Sequence, residues 1–130
     1  MSTPGRSVVE RGKKVLSVGY STALLRSRNI VIEAAGYHVV TTKDSDMLID
    51  LARKQDFAAA VLCNSIPAHL RSSMARQLKQ AKPTLPLIIL CTEGERLQFR
   101  KLADEVVIAE DGLSQPLIEA ISRLGGEPDN

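Results

Sequence analysis

The sequence predicts a three-layer α/β/α sandwich around a five-stranded parallel sheet. Apolar, β-type runs alternate five times with amphipathic helical stretches along 130 residues, and strands joined by helices in this way run parallel, with right-handed crossovers. The fourth run, LPLIILCT, is almost uninterruptedly apolar, which is typical of a strand covered by helices on both faces. A chain of this length suits a single domain, so the fold class is α/β.

The first two strand and helix pairs have recognisable ends. KKVLSVGY is the first strand run, and Ser21 or Thr22 can cap the helix that follows it, with Gly36 as the stop. YHVVTT is the second strand run. Asp44 or Ser45 can cap the next helix, DSDMLIDLARKQ, whose apolar residues form one stripe.

The remaining pairs continue the alternation. FAAAVLCN is followed by a helix that opens at Pro67, PAHLRSSMARQLKQA, in which apolar residues recur every four positions from Leu70. LPLIILCT, expected at the centre of the sheet, precedes a weaker helix in EGERLQFRKLAD. DEVVIAE is a shorter fifth strand, and Ser114 is expected to cap the last helix, LSQPLIEAISRL.

Composition excludes several classes of function. The net charge is only +2, and four basic residues near the start more than account for it, so no basic field indicates binding to nucleic acid. No apolar run approaches the roughly 20 residues that span a membrane, and a signal segment is lacking. We therefore expect a cytoplasmic protein that binds neither membranes nor nucleic acid.

Domain organisation follows from the same patterns. A polar, flexible leader is expected over residues 1–12, a single domain over residues 13–125, and a tail over residues 126–130. The two cysteines have no CxxC or Cys/His ligand spacing, which argues against a zinc site or a disulfide framework. No metal or cofactor is predicted.

This order of pieces resembles the receiver domain of bacterial response regulators, the CheY-like fold. The resemblance rests on four segments: the first two strand and helix runs KKVLSVGYSTALLRSRNIVIEAAGYHVVTT, the run VLCNSIP, PTLPLIILCT, and ADEVVIAE before a last amphipathic helix. The resemblance covers about residues 12–125. It implies the flavodoxin-like strand order 2-1-3-4-5, with a site beyond the carboxyl ends of the strands.

The residues that receivers use for chemistry are replaced at the first and third strands. In active receivers a pair of acidic residues ends the first strand and holds Mg²⁺, and the resemblance puts Gly19 and Tyr20 there. The ring of Tyr20 is expected to fill the space that the lost carboxylate leaves. The phosphoacceptor aspartate stands four residues before a proline, and that position here, before Pro67, is Cys63.

The fourth and fifth strands show the same loss. Receivers end the fourth strand with a Thr or Ser that binds the phosphoryl group, and here Cys91 holds that position with Thr92 beside it. The lysine that ends the fifth strand corresponds to Ala109, followed by Glu110. The sequence thus offers no basic residue at this place.

These replacements predict a pseudo-receiver without aspartyl phosphorylation and without enzymatic activity. Mg²⁺ normally needs at least one carboxylate, and phosphoryl transfer depends on neutralising the charge of the transferred group. An aliphatic neighbourhood would raise the pKa of the Cys63 thiol and make it a poor nucleophile. The favoured interpretation is therefore that Cys63 is a small apolar residue that fills the space of the missing phosphorylation site. If strands three and four are neighbours, however, Cys63 and Cys91 end adjacent strands and could be bridged.

The function that remains is binding. We expect a stand-alone adaptor of two-component phosphorelay signalling, whose partner is a histidine kinase, another regulator or a second copy of itself. The expected interaction face contains Arg96, Phe99, Arg100, Val106 and Val107, an exposed patch that would also permit homodimerisation.

Two alternatives stay open. One is a redox-active or sulfur-phosphorylated carrier that uses Cys63, and the other is a domain that binds a small uncharged ligand. The basic residues of the third helix, Arg71 among them, are interpreted as a solvated face.

Overall fold

The computed structural model describes residues 13–109 and 114–128. Five strands and five helices follow one another, with a 3₁₀ turn at Glu93–Glu95 before the fourth helix. Their bounds are β1 (Lys14–Val18), α1 (Thr22–Ala34), β2 (His38–Thr42), α2 (Ser45–Lys54), β3 (Ala59–Leu62), α3 (Ala68–Ala81), β4 (Leu87–Cys91), α4 (Arg96–Arg100), β5 (Glu105–Ile108) and α5 (Ser114–Gly125).

The strands form one parallel sheet in the order β2-β1-β3-β4-β5. The predicted fold class and strand order are confirmed. In this order the chain reverses direction across the sheet between β1 and β3, which places the ends of these two strands next to each other at the topological switch point.

Two apolar cores cover the sheet, one on each face. One core packs α1 and α5 against β-strand residues that include Val61 and Cys63. The other packs α2, α3 and α4 against the opposite face, which includes Leu62 and Cys91. This arrangement is the predicted three-layer sandwich, and β3 and β4 are fully buried, as a doubly covered parallel strand requires.

The helix ends largely follow the sequence signals. The Ser21 hydroxyl accepts the Leu24 N–H at 3.3 Å, and the Asp44 carboxylate accepts the Asp46 N–H at 2.8 Å, so these two residues are the N-caps. Gly36, just beyond α1, has a φ of 108°, which is the left-handed conformation that a glycine stop provides.

The fourth helix is shorter than the pattern predicts. Only Arg96–Arg100 is α-helical, after the 3₁₀ turn. Because the helix makes little more than one turn, it buries a single side chain, that of Phe99, and leaves Leu97 74% exposed.

Residues 126–128, the described part of the predicted tail, contact the amino-terminal edge of the sheet. The Tyr37 hydroxyl donates to the Gly126 carbonyl oxygen at 2.9 Å, and Lys13 Nζ donates to the Gly125 carbonyl oxygen at 3.2 Å. The predicted leader, Glu110 and the side chain of Ser114 lie outside the described residues. Within those residues, no helix is long and apolar enough to cross a membrane.

Candidate functional site

The candidate site lies where β1 and β3 end, at the switch point of the sheet. The Cys63 N–H donates to the Val18 carbonyl oxygen at 2.8 Å, which holds the two strand ends together. Gly19 is packed so closely that an added Cβ would lie 3.1 Å from Cys63 Cβ and 3.1 Å from the Leu25 side chain. Leu25 and Cys63 would therefore have to shift by a few tenths of an ångström to admit a side chain at residue 19.

Tyr20 does not fill the vacated space, and that prediction was wrong. Its side chain is 40% exposed, because consecutive residues point to opposite sides and Leu25 already packs over Gly19. The backbone of this turn is held instead by Ser65, whose hydroxyl accepts the N–H groups of Tyr20 at 2.9 Å and of Ser21 at 3.3 Å.

Cys63 is buried, but it lies close to a cation that sequence reasoning missed. Burial raises the pKa of the Cys63 thiol, and the charge and hydrogen bonding of the Arg28 guanidinium oppose that rise only in part. Arg28 comes from α1, and its buried Nη1 has no hydrogen-bond partner among the described residues. The prediction that no basic residue stands at the fifth-strand position, Ala109, is a separate one, because Arg28 reaches Cys63 from α1. Arg28 shares the helical face of Leu25 and Ile32, and this spacing was the available signal.

Cys91 lies on the opposite face of the sheet from Cys63. Leu62 is paired with Ile89, so the pairing continues with Cys63 beside Leu90, and Cys91 points the other way. The cysteines belong to different cores and both are free thiols. The alternative of a bridge between them, which the sequence left open because it does not give the register between strands, does not occur in this structure.

Arg71 occupies the core beside Cys91. The prediction that it belongs to a solvated face was wrong. Only 3% of the residue is exposed. Its Nε donates to the Ile66 carbonyl oxygen at 2.8 Å and its Nη1 to the Leu90 carbonyl oxygen at 2.7 Å. Nη2 lies 3.1 Å from Glu95 Oε2, and the guanidinium stacks 4.6 Å from the centre of the Phe99 ring.

Glu95 extends this network to the turn after β4. Its Oε1 accepts the Thr92 N–H at 3.1 Å. Burial acts to raise the pKa of Glu95, but the hydrogen bonds from Thr92 and Arg71 and the charge of Arg71 lower it overall. For Cys91, burial and then the negative charge of Glu95 raise the pKa of the thiol. Thr92 itself is exposed.

The predicted interaction face is only partly at the surface. Phe99 is fully buried and Val107 is 6% exposed, while Val106 is half-buried against the core. The exposed apolar patch expected from these residues was therefore wrong, because Phe99 packs under Arg71 and β5 is covered by α5. Arg96 and Arg100 are exposed.

The site residues do not fit a magnesium ion. No group of three His, Cys, Asp or Glu side chains in the described ranges is arranged to hold a metal. Near Gly19 the Ser65 hydroxyl is occupied by two N–H groups that point at it, and N–H groups repel a cation. The neighbouring Asn64 Oδ1 is buried without a hydrogen-bond partner, but one neutral oxygen does not supply the carboxylate that Mg²⁺ normally needs. Ala109, which the resemblance puts in place of the receiver lysine, donates its N–H to the Cys91 carbonyl oxygen at 2.7 Å and brings no charge.

Both thiols are expected to resist alkylation in the folded protein. Each is fully buried, and burial raises each pKa above its ordinary value, so the reactive thiolate forms only at more alkaline pH than for an ordinary thiol. Iodoacetamide labelling read by intact mass should show both cysteines unmodified at neutral pH and both modified in urea. Fast labelling of either thiol without urea, or loss of two hydrogens under air oxidation, would contradict this arrangement.

Comparison with known proteins identifies the fold. No protein-family model matches the sequence, and a search of curated proteins found no match either. A response regulator receiver domain protein from Clostridium thermocellum is similar in structure, with a TM-score of 0.73, 20% identity, and coverage of 86% of this chain and 93% of that chain.

Two further solved structures share the fold and contain magnesium. The receiver domain of a sensor histidine kinase from Pseudomonas aeruginosa, with magnesium coordinated in its active-site cleft, gives a TM-score of 0.76 at 18% identity, covering 89% of this chain and 99% of that chain. The response regulator TrrA from Thermotoga maritima, in complex with Mg²⁺ and BeF, also gives 0.76 at 18% identity, covering 86% and 98%. These likenesses establish a CheY-like fold.

Proposed function

We propose that this chain is a receiver-like module of two-component signalling that works by binding a protein partner, without phosphorylation of an aspartate and without enzymatic activity. The observation that carries the proposal is the packing at the switch point. A side chain at Gly19 would press against Leu25 and against Cys63, which is buried, so a metal-binding carboxylate there requires these neighbours to shift. The fold is retained while the groups that would bind and transfer a phosphoryl group are replaced by apolar packing.

Arg28 alone does not restore the chemistry. Phosphoryl transfer in this fold needs charge neutralisation of several oxygens at once, which metal and cation supply together. A single guanidinium beside a thiol whose pKa is raised by burial provides neither the metal nor a good nucleophile. We interpret Arg28 as a half-buried group that packs beside Cys63 and has no catalytic role.

The binding surface is proposed to lie on α4 and the surfaces next to it. Arg96 and Arg100 remain exposed there, and Leu97 is the most exposed large apolar side chain named in the described residues. Histidine kinases, other regulators and a second copy of this chain are the partner classes that this fold suggests.

Incubation with acetyl phosphate and Mg²⁺ tests the proposal. Intact mass should show no phosphoryl adduct, because the part of the switch point that the structure describes has no cluster of metal ligands and its thiol is buried. A stable adduct that disappears in Cys63→Ala but persists in the matched variant Cys91→Ala would instead establish a sulfur carrier. An adduct unaffected by either substitution would place phosphorylation on another residue and would also contradict the proposal.

A further inference from the structure

One exposed apolar residue of α2 has acidic neighbours. Met47, in the first turn of α2, is 50% exposed. Asp46 and Asp50 flank it, and both are exposed. Asp50 Oδ1 also lies 3.3 Å from Lys54 Nζ. Because this ion pair is exposed, Lys54 offsets the charge of Asp50 only weakly. The basic residues of α2, Arg53 and Lys54, lie in its last turn. Only the amino end of α2 is therefore an apolar contact point with a negative rim.

One exposed apolar residue of α4 has the opposite surroundings. Leu97, in the only full turn of α4, is 74% exposed. Arg96, Arg100 and Lys101 surround it and are exposed, although Arg96 also lies 3.2 Å from Glu93. This part of the molecule is an apolar contact point with a positive rim, complementary to that of α2.

The two contact points lie in one helical layer. Helices α2, α3 and α4 cover the same face of the sheet, with α3 in the middle. Packed helices are about 10 Å apart, so α2 and α4 are separated by about 20 Å. Both helices follow the carboxyl end of a strand, so Met47 and Leu97 lie at the same edge of the layer.

Both contact points are held rigidly. The Asp44 cap fixes the start of α2. The buried Arg71 fixes α4 through Glu95 and the Phe99 ring. Little conformational entropy is therefore lost when these surfaces bind.

We propose that the α2–α3–α4 layer is the interface of a symmetric homodimer. A two-fold axis that runs along α3 places α2 of one protomer against α4 of its partner, and the reverse contact forms at the same time. Met47 then meets the partner's Leu97, and the acidic rim meets the basic rim. The partner is a second copy of this chain, because each copy carries both complementary contact points, on α2 and on α4, on the same face.

The size of the layer predicts a weak dimer. The helices of 10, 14 and 5 residues are about 15, 21 and 8 Å long. At a width of about 10 Å each they give a face of roughly 430 Å², well below the ~800 Å² per partner of a standard interface. Arg76, on the exposed side of α3, lies near the axis and adds repulsion. The dimer should dissociate on dilution and in high salt.

Sedimentation velocity of charge-reversal variants tests the interface. Asp46→Lys with Asp50→Lys, and separately Arg96→Glu with Arg100→Glu, should each weaken dimerisation by roughly tenfold or more, since each puts like charges across both contacts. An equimolar mixture of the two variants should associate again, because every contact between unlike partners then joins opposite charges.

A matched control lies on the opposite layer. Arg26→Glu and Glu33→Lys change exposed charges on α1 and should leave dimerisation unchanged. Circular dichroism verifies that each variant is folded. A wild-type protein that stays monomeric at its highest soluble concentration overturns the proposal, as does a dimer that tolerates both reversals or a mixture that fails to associate. If the wild-type protein stays monomeric, the two contact points would bind other proteins instead, such as an acidic protein on α4.

Discussion

Replacing Arg71 by alanine should lower the free energy of unfolding by about 3 to 5 kcal/mol. The guanidinium is buried and binds the carbonyl oxygens of Ile66 and Leu90 as well as Glu95. Alanine leaves the two carbonyl groups without their donors and removes the stacking partner of Phe99. Urea unfolding followed by circular dichroism measures the difference.

Arg76 provides the matched control on the same helix. It is exposed, so Arg76→Ala should change stability by no more than about 0.5 kcal/mol. Equal losses for the two variants would mean that Arg71 does not hold the core together. Arg71→Lys should recover only a part of the loss, because one ammonium group cannot reach all three acceptors.

Acid should weaken the same network. Hydrogen bonds and the charge of Arg71 lower the pKa of Glu95 against the opposing effect of burial. A carboxyl whose folded pKa is depressed contributes stability above its unfolded pKa of about 4.3, and this contribution is lost as the pH falls through the folded value. In Arg71→Ala this part of the acid sensitivity should be smaller.

The sequence predicted the fold well because its signals are local. Five alternating runs, the Ser21 and Asp44 caps and the Gly36 stop each act within a few residues, and a parallel sheet with helical crossovers leaves few topologies. The site was less predictable. Which face a strand-end residue occupies depends on the register between strands, and for this reason the sequence left open whether Cys63 and Cys91 meet.

The positions of Arg71 and Arg28 were not predicted, for a different reason. Charge suggests a surface position, whereas the helical period places Arg71 in the stripe of Ala75 and Leu78, both buried. Arg28 likewise lies in the stripe of Leu25 and Ile32 and is half-buried. Position in the helical period therefore predicted burial better than residue type did, most clearly for Arg71, whose donors are received by carbonyl oxygens, a carboxylate and a ring.

Placing an acidic residue at Gly19, where the resemblance to receivers predicts one of the metal-binding pair, should damage the fold. Gly19→Asp is expected to lower the free energy of unfolding by about 2 to 4 kcal/mol, from overpacking and from burial of a carboxylate. The new Cβ would lie 3.1 Å from Cys63 and Leu25, and both belong to the buried core under α1. Thermal and urea unfolding measure the loss.

Gly94→Asp is the matched control, since an added Cβ there meets only Thr92 Oγ1 at 4.0 Å and should be nearly neutral. If both variants were equally stable, the space beside Gly19 would be open, and a carboxylate could return to the site. A large loss confined to Gly19→Asp would instead mean that Gly19, Leu25 and Cys63 pack as one unit. A metal-binding carboxylate could then be regained only by changing several of these residues together. We therefore propose that the packing of Gly19, Leu25 and Cys63 maintains the loss of phosphorylation chemistry.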